Sequence, residues 1–273
     1  MKYSVYCEYP NEENLGNLSH LEFPLDVIVC AENLREFEGL QRQIKQSSSN
    51  VNRVGYWPKL DKKEGYWICP FSDENALNGV FGELEERVTQ DENLLLMLDL
   101  EPPVLLDPKR MITGLKGFTR KKQRLKKFIS DSKSKNIDVI GSEVATFKIP
   151  EVIQRTLGLA FDPDEIDYEK VKLVYTSFVK LAPGLIREPA QRFMRYLLKR
   201  ETKKGIEKYG DKFSVGLGCL SKGVLGYEPI LIPEDFRADL ETVNNQGLKK
   251  VYVYDLKGIN KDYASVMKEY HSN

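Results

Sequence analysis

The chain has 273 residues, enough for one large barrel or two smaller domains, and its 41 lysines and arginines equal its 41 aspartates and glutamates. With the histidines neutral the net charge is zero, so no global field draws the protein toward nucleic acid or an anionic membrane. No apolar stretch reaches the roughly 20 residues that cross a bilayer, and the N-terminus lacks the apolar segment of a signal peptide, so we expect a cytoplasmic protein without nucleic-acid or membrane partners.

Short apolar runs, rich in valine, isoleucine, leucine and tyrosine, recur along the whole chain. Each run is bounded by turn or charged residues, as buried parallel strands are. In chain order the predicted strands cover residues 3–8, 25–31, 51–57, 94–101, 137–143, 171–178, 213–219 and 250–255.

Helical patterns separate the predicted strands. Residues 32–46 place apolar side chains at three- and four-residue spacing, which is typical of an amphipathic helix. Asp107 before Pro108 is a typical helix start, so a long basic helix is predicted over residues 108–135. The remaining predicted helices cover residues 73–88, 186–209, 233–245 and 261–271, and the first connection, residues 9–24, holds at most a short helix.

Eight alternations of strand and helix in one unbroken series predict an α/β fold, a (β/α)8 TIM barrel. An open doubly wound sheet has the same periodicity, but no GxGxxG loop follows the first strand. The chain contains no linker, internal repeat or low-complexity tract. We therefore predict a single (β/α)8 barrel domain over residues 1–273 and leave the oligomeric state open.

The cysteines and histidines limit the chemistry. The chain has four cysteines, far apart and without a CxxC pair: Cys7, Cys30, Cys69 and Cys219. This spacing favours reduced core thiols over disulfides or zinc ligands. With two histidines, one near each end, a histidine-rich metal site or a Ser-His-Asp triad is not expected. We expect no metal and no cofactor, and the chemistry falls to carboxylates, tyrosines and lysines.

Polar residues end several of the predicted strands, and in TIM barrels the active site forms at those carboxyl ends. The candidates at strand ends are Glu8, Asp99, Glu101, Glu143, Tyr175 and Asp255. A single carboxylate at a strand end also caps helices or pairs with lysine, so the set carries the prediction rather than any one member. We expect Glu8 to bind substrate and the others to contribute to catalysis.

The triplet Gly-Tyr-Trp occurs twice, once in the third strand and once in the loop after it. It supplies Tyr56, Trp57, Tyr66 and Trp67. An exposed tryptophan at a barrel mouth stacks on the apolar face of a sugar ring, whereas a buried one belongs to the core. We predict these four aromatic residues, together with Glu228 from the loop after strand seven, as substrate-binding residues.

The segment LLLMLDLEPPVLL, residues 94–106, places two carboxylates at the end of the most hydrophobic strand. Strand residues alternate in direction, so Asp99 and Glu101 point the same way, about 7 Å apart. Inside a barrel, repulsion and desolvation would raise the pKa of one of them and leave a protonated acid at neutral pH. Glycoside hydrolysis needs this division of roles.

The Asp-x-Glu at this position resembles the last part of the chitinase-type DxxDxDxE signature. That resemblance implies that Glu101 is the general acid and that Asp99 orients the acetamido group of the substrate. It also implies that Tyr175 lies near the place of the strand-six tyrosine of that family. The chain departs from the signature at Met97, where the family has a further acid.

The dipeptide Glu101-Pro102 also resembles the Glu-Pro of retaining barrel glycosidases, which pair a strand-four acid with a strand-seven nucleophile. Here Leu100 stands in place of their asparagine, and the nearest strand-seven carboxylate is Glu228. Together the two resemblances place the chain with an uncharacterised glycoside-hydrolase-like group of barrels acting on a carbohydrate or small-molecule substrate.

Other functions also fit parts of the sequence. The missing acid at Met97 favours a degenerate barrel or one that binds carbohydrate without turnover. The loop LGCLSKGVLGYEP is rich in glycine where many barrels bind phosphate, with Lys222 nearby, as in a lyase or isomerase-type barrel. Lys180 after strand six is a candidate Schiff-base lysine. The basic run over residues 119–128 fits the solvated face of an outer helix better than a nucleic-acid site.

Overall fold

The computed structural model describes residues 1–87, 93–103, 107–145 and 151–271, and its strands close into a barrel. The order around the ring follows the sequence, from the first strand to the eighth. The strands are β1 (Lys2–Cys7), β2 (Leu25–Ala31), β3 (Val51–Pro58), β4 (Leu94–Asp99), β5 (Ile137–Val144), β6 (Glu169–Leu173), β7 (Phe213–Gly218) and β8 (Lys250–Tyr254). The predicted (β/α)8 fold is confirmed.

Strand β4 ends two residues before its predicted end. The hydrogen bonds between β4 and β5 continue for one more residue, because the Leu100 N–H donates to the Ser142 carbonyl at 3.0 Å. Two prolines, Pro102 and Pro103, then follow, and a proline has no N–H to donate to a sheet. Glu101 therefore lies in a loop.

Strand β6 begins earlier and ends earlier than predicted. After Leu173 the Val174 N–H still donates to the Gly216 carbonyl, at 2.9 Å, and the chain then turns into a 3-10 helix over Thr176–Leu181. Tyr175 is the residue at the start of this turn, immediately beyond the carboxyl end of the strand.

The helices of the described residues are α1 (Glu12–Gly16), α2 (Leu34–Ser47), α3 (Glu74–Glu86), α4 (Arg110–Thr113), α5 (Phe118–Ser132), α6 (Glu151–Thr156), α7 (Gly184–Tyr209), α8 (Pro233–Asn244) and α9 (Lys261–Tyr270). Asp73 and Asn260 cap α3 and α9 by accepting backbone N–H groups of the first turn. The predicted end of the third helix, residue 88, and the end of the segment 94–106 lie outside the described residues. Helix α6 has no counterpart in the prediction.

The long basic helix predicted over residues 108–135 is divided into α4 and α5. A Cβ at Gly114 would overlap the backbone of Phe71, so the chain makes a close approach that only glycine permits. Helix α4 ends at Thr113, and Gly117 then adopts a left-handed conformation, with φ of 68°, immediately before the first residue of α5. Tertiary contacts therefore override the local helical pattern.

Contacts within the chain define two compact units. The first comprises Met1–Val29, Gln41–Val54 and Val171–Asn273, and the second comprises Cys30–Leu40 and Gly55–Lys170. That residues 1–273 form one domain remains our prediction.

In the first unit, hydrogen bonds and ring contacts show which residues of β1 face the helices. The Tyr3 hydroxyl donates to the Met267 carbonyl of α9 at 3.0 Å, so Tyr3 faces outward. Because side chains alternate along a strand, Ser4 and Tyr6 face the barrel interior. The Tyr6 ring packs there against the Tyr252 ring of β8, with centroids 5.5 Å apart.

In the second unit, the contacts of Tyr56 show which residues of β3, β4 and β5 face the helices. Its ring packs against Phe37 of α2 at 5.0 Å, so Tyr56 faces the helix layer. Tyr56 is in register with Leu96, which therefore also faces outward, and Asp99 faces inward. Asp99 is in register with Ser142 of β5.

All four cysteines are buried and none of them forms a disulfide, as predicted for core thiols. Complete burial raises the pKa of the Cys69 thiol. Within the described ranges, none of the helices has the length and apolar character needed to span a bilayer.

Candidate active site

Glu8 and Tyr254 meet at the carboxyl ends of two neighbouring strands of the first unit, β1 and β8. The Tyr254 hydroxyl donates a hydrogen bond to Glu8 Oε2. Glu8 is 1 % exposed, and burial together with the charge of Glu8 raises the pKa of Tyr254 well above its usual value. The phenol therefore keeps its proton and remains a donor toward the carboxyl group.

Asp255 follows Tyr254 directly and provides a second carboxyl group beside the first. Its side chain is fully buried, and its Oδ1 accepts a hydrogen bond from the Ser221 hydroxyl. Burial raises the pKa of Asp255 to about 6; the Ser221 hydrogen bond opposes this shift and the Glu8 charge adds to it. Asp255 can therefore exchange a proton close to neutral pH.

Tyr175 adds an aromatic wall to this cluster. Its ring lies 6.0 Å from the Tyr254 ring and 6.3 Å from the Phe178 ring. Unlike the two carboxyl groups, Tyr175 is only partly buried. The sequence candidates Glu8, Tyr175 and Asp255 are thus neighbours in the structure.

The loop between β7 and α8 covers the two carboxyl groups. A Cβ at Gly223 would overlap the Tyr254 hydroxyl and would lie 2.8 Å from Glu8 Oε2, so only glycine fits over this hydrogen bond. The glycine-rich loop therefore packs on Glu8, and its Ser221 binds Asp255. Two carboxyl groups below the loop disfavour an anion there, which argues against a phosphate site.

In the second unit, Glu143 has an environment of a different kind. Its Oε1 accepts hydrogen bonds from the Tyr168 hydroxyl at 2.9 Å and the Phe161 N–H at 3.2 Å. Its Oε2 lies 2.9 Å from the Lys170 ammonium, and both side chains are at most 2 % exposed. By the register of β5, Glu143 faces the helix layer. In this structure Glu143 binds Lys170 and Tyr168 in the core of the second unit, and the substrate-orienting role that its strand-end position predicts stays a prediction.

Asp99 and Glu101 differ in their placement. The Ser142 hydroxyl donates to Asp99 Oδ1 at 3.1 Å, and Asp99 is buried on the inner face of β4. Glu101 is half-buried in the loop beyond the strand. Because strand alternation ends before Glu101, the common direction of the two side chains remains a prediction.

The predicted stacking residues are buried. Trp57 and Trp67 are 4 % and 5 % exposed, and Tyr66 packs edge-on against Trp67 at 5.7 Å. The turn that carries Trp67 is held inward because the Ser72 hydroxyl donates to the Trp67 carbonyl at 2.6 Å. Tyr56 faces the helix layer. In this structure the four residues are therefore core aromatics and not exposed platforms, and their role in substrate binding stays a prediction.

Glu228 shapes its own loop. It is 5 % exposed, and its Oε1 accepts a hydrogen bond from the Leu225 N–H at 3.0 Å.

The sequence analysis missed Ser221 and Tyr254, although one pattern in the sequence pointed to Tyr254. Strand β8 carries tyrosine at alternate positions, Tyr252 and Tyr254, which places both on one face.

The basic helix α5 has the orientation that its pattern predicts. Leu125 and Phe128 are buried, at 0 % and 1 % exposure. The cations of its outer face bind acidic side chains of their own unit, as in the pair of Arg124 and Glu85 at 2.7 Å. Local ion pairs thus offset much of the positive charge that the sequence concentrates there.

No family model matches this chain, and no curated protein matches it. Solved structures do. The chitinase from Chromobacterium violaceum has a TM-score of 0.54 at 9 % identity, with 98 % of each chain covered. The C-terminal domain of a putative chitinase from Desulfitobacterium hafniense has a TM-score of 0.53 at 12 % identity, covering 98 % of this chain and 97 % of that one.

A third similar structure belongs to another class of sugar enzyme. The D-allulose 3-epimerase from Methylomonas sp. has a TM-score of 0.51 at 10 % identity, covering 99 % of this chain and 98 % of its own. At such identities, these likenesses show the TIM-barrel fold that this chain shares with all three proteins.

Proposed function

We propose that this chain is a glycosidase-like barrel that acts on a carbohydrate, with Asp255 and Glu8 as its acid/base pair. One observation carries the proposal: two buried carboxyl groups lie at the carboxyl ends of β8 and β1, where TIM barrels build active sites. Their environments differ, which is what separates an acid from a base.

Asp255 suits the role of general acid. With a pKa of about 6, half of the group is protonated at pH 6 and roughly a tenth at pH 7. It would protonate the glycosidic oxygen as the bond from that oxygen to the anomeric carbon breaks, so that the leaving sugar departs as an alcohol. Water, giving its proton to Glu8, would add to the positively charged anomeric carbon. Glu8 accepts the hydrogen bond from Tyr254 and supplies the neighbouring carboxylate.

The partly buried Tyr175 ring supports a sugar as the substrate. An aromatic face contacts the apolar C–H face of a sugar, while buried carboxylates accept hydrogen bonds from its hydroxyl groups. The similar solved structures named as chitinases and a sugar epimerase fit this substrate class. Glu101 with Asp99 is the second candidate acid pair, supported by the inward placement of Asp99.

A second candidate function is carbohydrate binding without turnover. The burial of Glu8 and Asp255, at 1 % and 0 % exposure, favours it, because a catalytic acid must reach the substrate. Binding at the partly buried Tyr175 ring would not require access to these two carboxyl groups.

The test is turnover of a panel of chito- and cello-oligosaccharides and aryl glycosides by the parent protein and by Asp255→Asn. We expect Asp255→Asn to lose about 10²- to 10⁴-fold in kcat, the range that general acid catalysis supplies. The activity of the parent should fall as the pH rises above about 6, because the acid loses its proton.

Two further variants separate the candidates. Asp262→Asn removes an exposed acid on α9 and should leave turnover unchanged. Loss of turnover in Glu101→Gln with none in Asp255→Asn would assign the acid to Glu101 and overturn the proposal. Sugar binding by the parent with no turnover of any substrate would establish the binding function instead.

A further inference from the structure

We propose that residues 221–230 form a lid that must open before a ligand can reach Glu8 and Asp255. The inference deepens the proposed function, because it names the step that controls access to the same carboxyl pair. It rests on the packing of this segment and on how its two ends are held.

The closed lid accounts for the burial of the pair. Ser221 of the lid donates a hydrogen bond to Asp255, and Gly223 lies directly over the hydrogen bond between Tyr254 and Glu8. Since Gly223 packs without space for one additional carbon, no substrate group fits between the lid and Glu8. A ligand therefore requires the lid to move.

Both ends of the lid are fixed to the barrel. The Leu220 N–H donates to the Tyr254 carbonyl at 2.8 Å, and the Leu231 N–H donates to the Cys219 carbonyl at 2.7 Å. The second bond brings the two ends of the segment together, as in an Ω-loop. A loop of this kind can swing about its ends without disturbing the strands.

The lid also has internal hydrogen bonds that let it move as one body. The Gly226 N–H donates to the Gly223 carbonyl at 3.1 Å, and Glu228 accepts the Leu225 N–H at 3.0 Å. Its outer side faces water, with Tyr227 exposed by 49 %. Opening therefore breaks the inner contacts with Tyr254 and Asp255 but not these internal hydrogen bonds.

A lysine adds a further hydrogen bond that holds the lid closed, at Ile230 beside the end that Leu231 fixes. The Lys180 ammonium donates to the Ile230 carbonyl at 2.7 Å, and beside it the Tyr263 hydroxyl donates to the Leu231 carbonyl at 2.5 Å. Lys180 lies outside the carboxyl cluster. Its removal therefore tests the latch without altering the acid/base pair.

The experiment measures how fast a water-soluble carbodiimide with glycine ethyl ester modifies individual carboxyl groups, read by peptide mass spectrometry. In Lys180→Met, we expect Glu8 and Asp255 to be labelled about tenfold faster than in the parent, because a charged hydrogen bond no longer holds the lid. Glu143, buried in its ion pair with Lys170, is the internal reference and should be labelled at an unchanged rate.

Lys222→Met is the matched control, since it removes an exposed lysine of the same loop and should leave all rates as in the parent. Unchanged labelling of Glu8 and Asp255 in Lys180→Met would overturn the lid, and so would an equal increase at Glu143, which would indicate global opening. Labelling does not depend on turnover. A lid that opens in a protein without hydrolysis would refute only the proposed function, and Asp255-dependent turnover with unchanged labelling would refute only the lid.

Discussion

Replacing Lys170 by methionine should lower the free energy of unfolding by about 3–5 kcal/mol, the cost of leaving one partner of a buried ion pair behind. Lys170 and Glu143 are 2 % and 0 % exposed, and their charged atoms lie 2.9 Å apart. Methionine keeps most of the apolar stem but leaves the Glu143 carboxyl group without its cation. The Tyr168 hydroxyl and the Phe161 N–H, which also donate to Glu143, do not neutralise the charge.

Urea denaturation of two further variants completes this test. Glu143→Leu combined with Lys170→Met removes both charges and should recover much of the loss, because an apolar pair of similar volume often replaces a buried ion pair at little cost. Lys249→Met is the matched control: its partner Asp211 is also mostly exposed, so we expect a loss below about 1 kcal/mol. A loss in Lys170→Met no larger than that of Lys249→Met would show that the buried pair contributes nothing.

The barrel could be predicted because its determinants are local. Buried parallel strands are short apolar runs, and each run of that kind in the sequence became a strand within a few residues. The errors came from non-local causes. Gly114 meets the backbone of Phe71, a residue far away in sequence, and so the predicted helix over residues 108–135 is interrupted.

The position of each acid at a strand end was predictable, but its partner was not. Glu143 and Asp255 look alike in sequence, since each ends an apolar strand. The fold pairs Glu143 with the lysine of the next strand on the helix side, whereas Asp255 lies beside another carboxyl group and binds Ser221. The direction of a side chain at a strand end and the path of a later loop decide such outcomes. Neither of these two factors produces a periodic pattern of apolar residues in the sequence.

Outside the candidate active site, Asp239 of α8 makes the first unit sensitive to pH. It is 1 % exposed and accepts a hydrogen bond from Thr176. Burial raises the pKa of Asp239 to about 7, although the Thr176 hydrogen bond and Arg195 oppose the shift. The Arg195 Nε lies 3.6 Å from Asp239 Oδ1, and the same guanidinium also binds Asp235 at 2.8 Å. Arg195 is therefore shared between two acids.

The sign of the effect follows from which state holds the proton. The pKa of Asp239 is about 4 in the unfolded chain and about 7 in the folded protein. Between these pH values the folded protein keeps a proton on Asp239 that the unfolded chain has lost. Stability from this group is present in full below pH 4 and is lost as the pH rises through 7. At about 1.4 kcal/mol for each pKa unit, the loss approaches 4 kcal/mol.

Asp239→Asn should remove this dependence, because asparagine cannot ionise but still accepts the hydrogen bond from Thr176. The test is urea denaturation at pH 5 and at pH 8. The free energy of unfolding of the variant, relative to that of the parent, should be a few kcal/mol larger at pH 8 than at pH 5. Asp262 on α9 is exposed, so the free energy of unfolding of Asp262→Asn should change with pH as that of the parent does. If the stability of Asp239→Asn changed with pH as that of the parent does, the buried carboxyl group would have to be ionised throughout this range. Arg195 would then compensate its burial fully, despite being shared with Asp235.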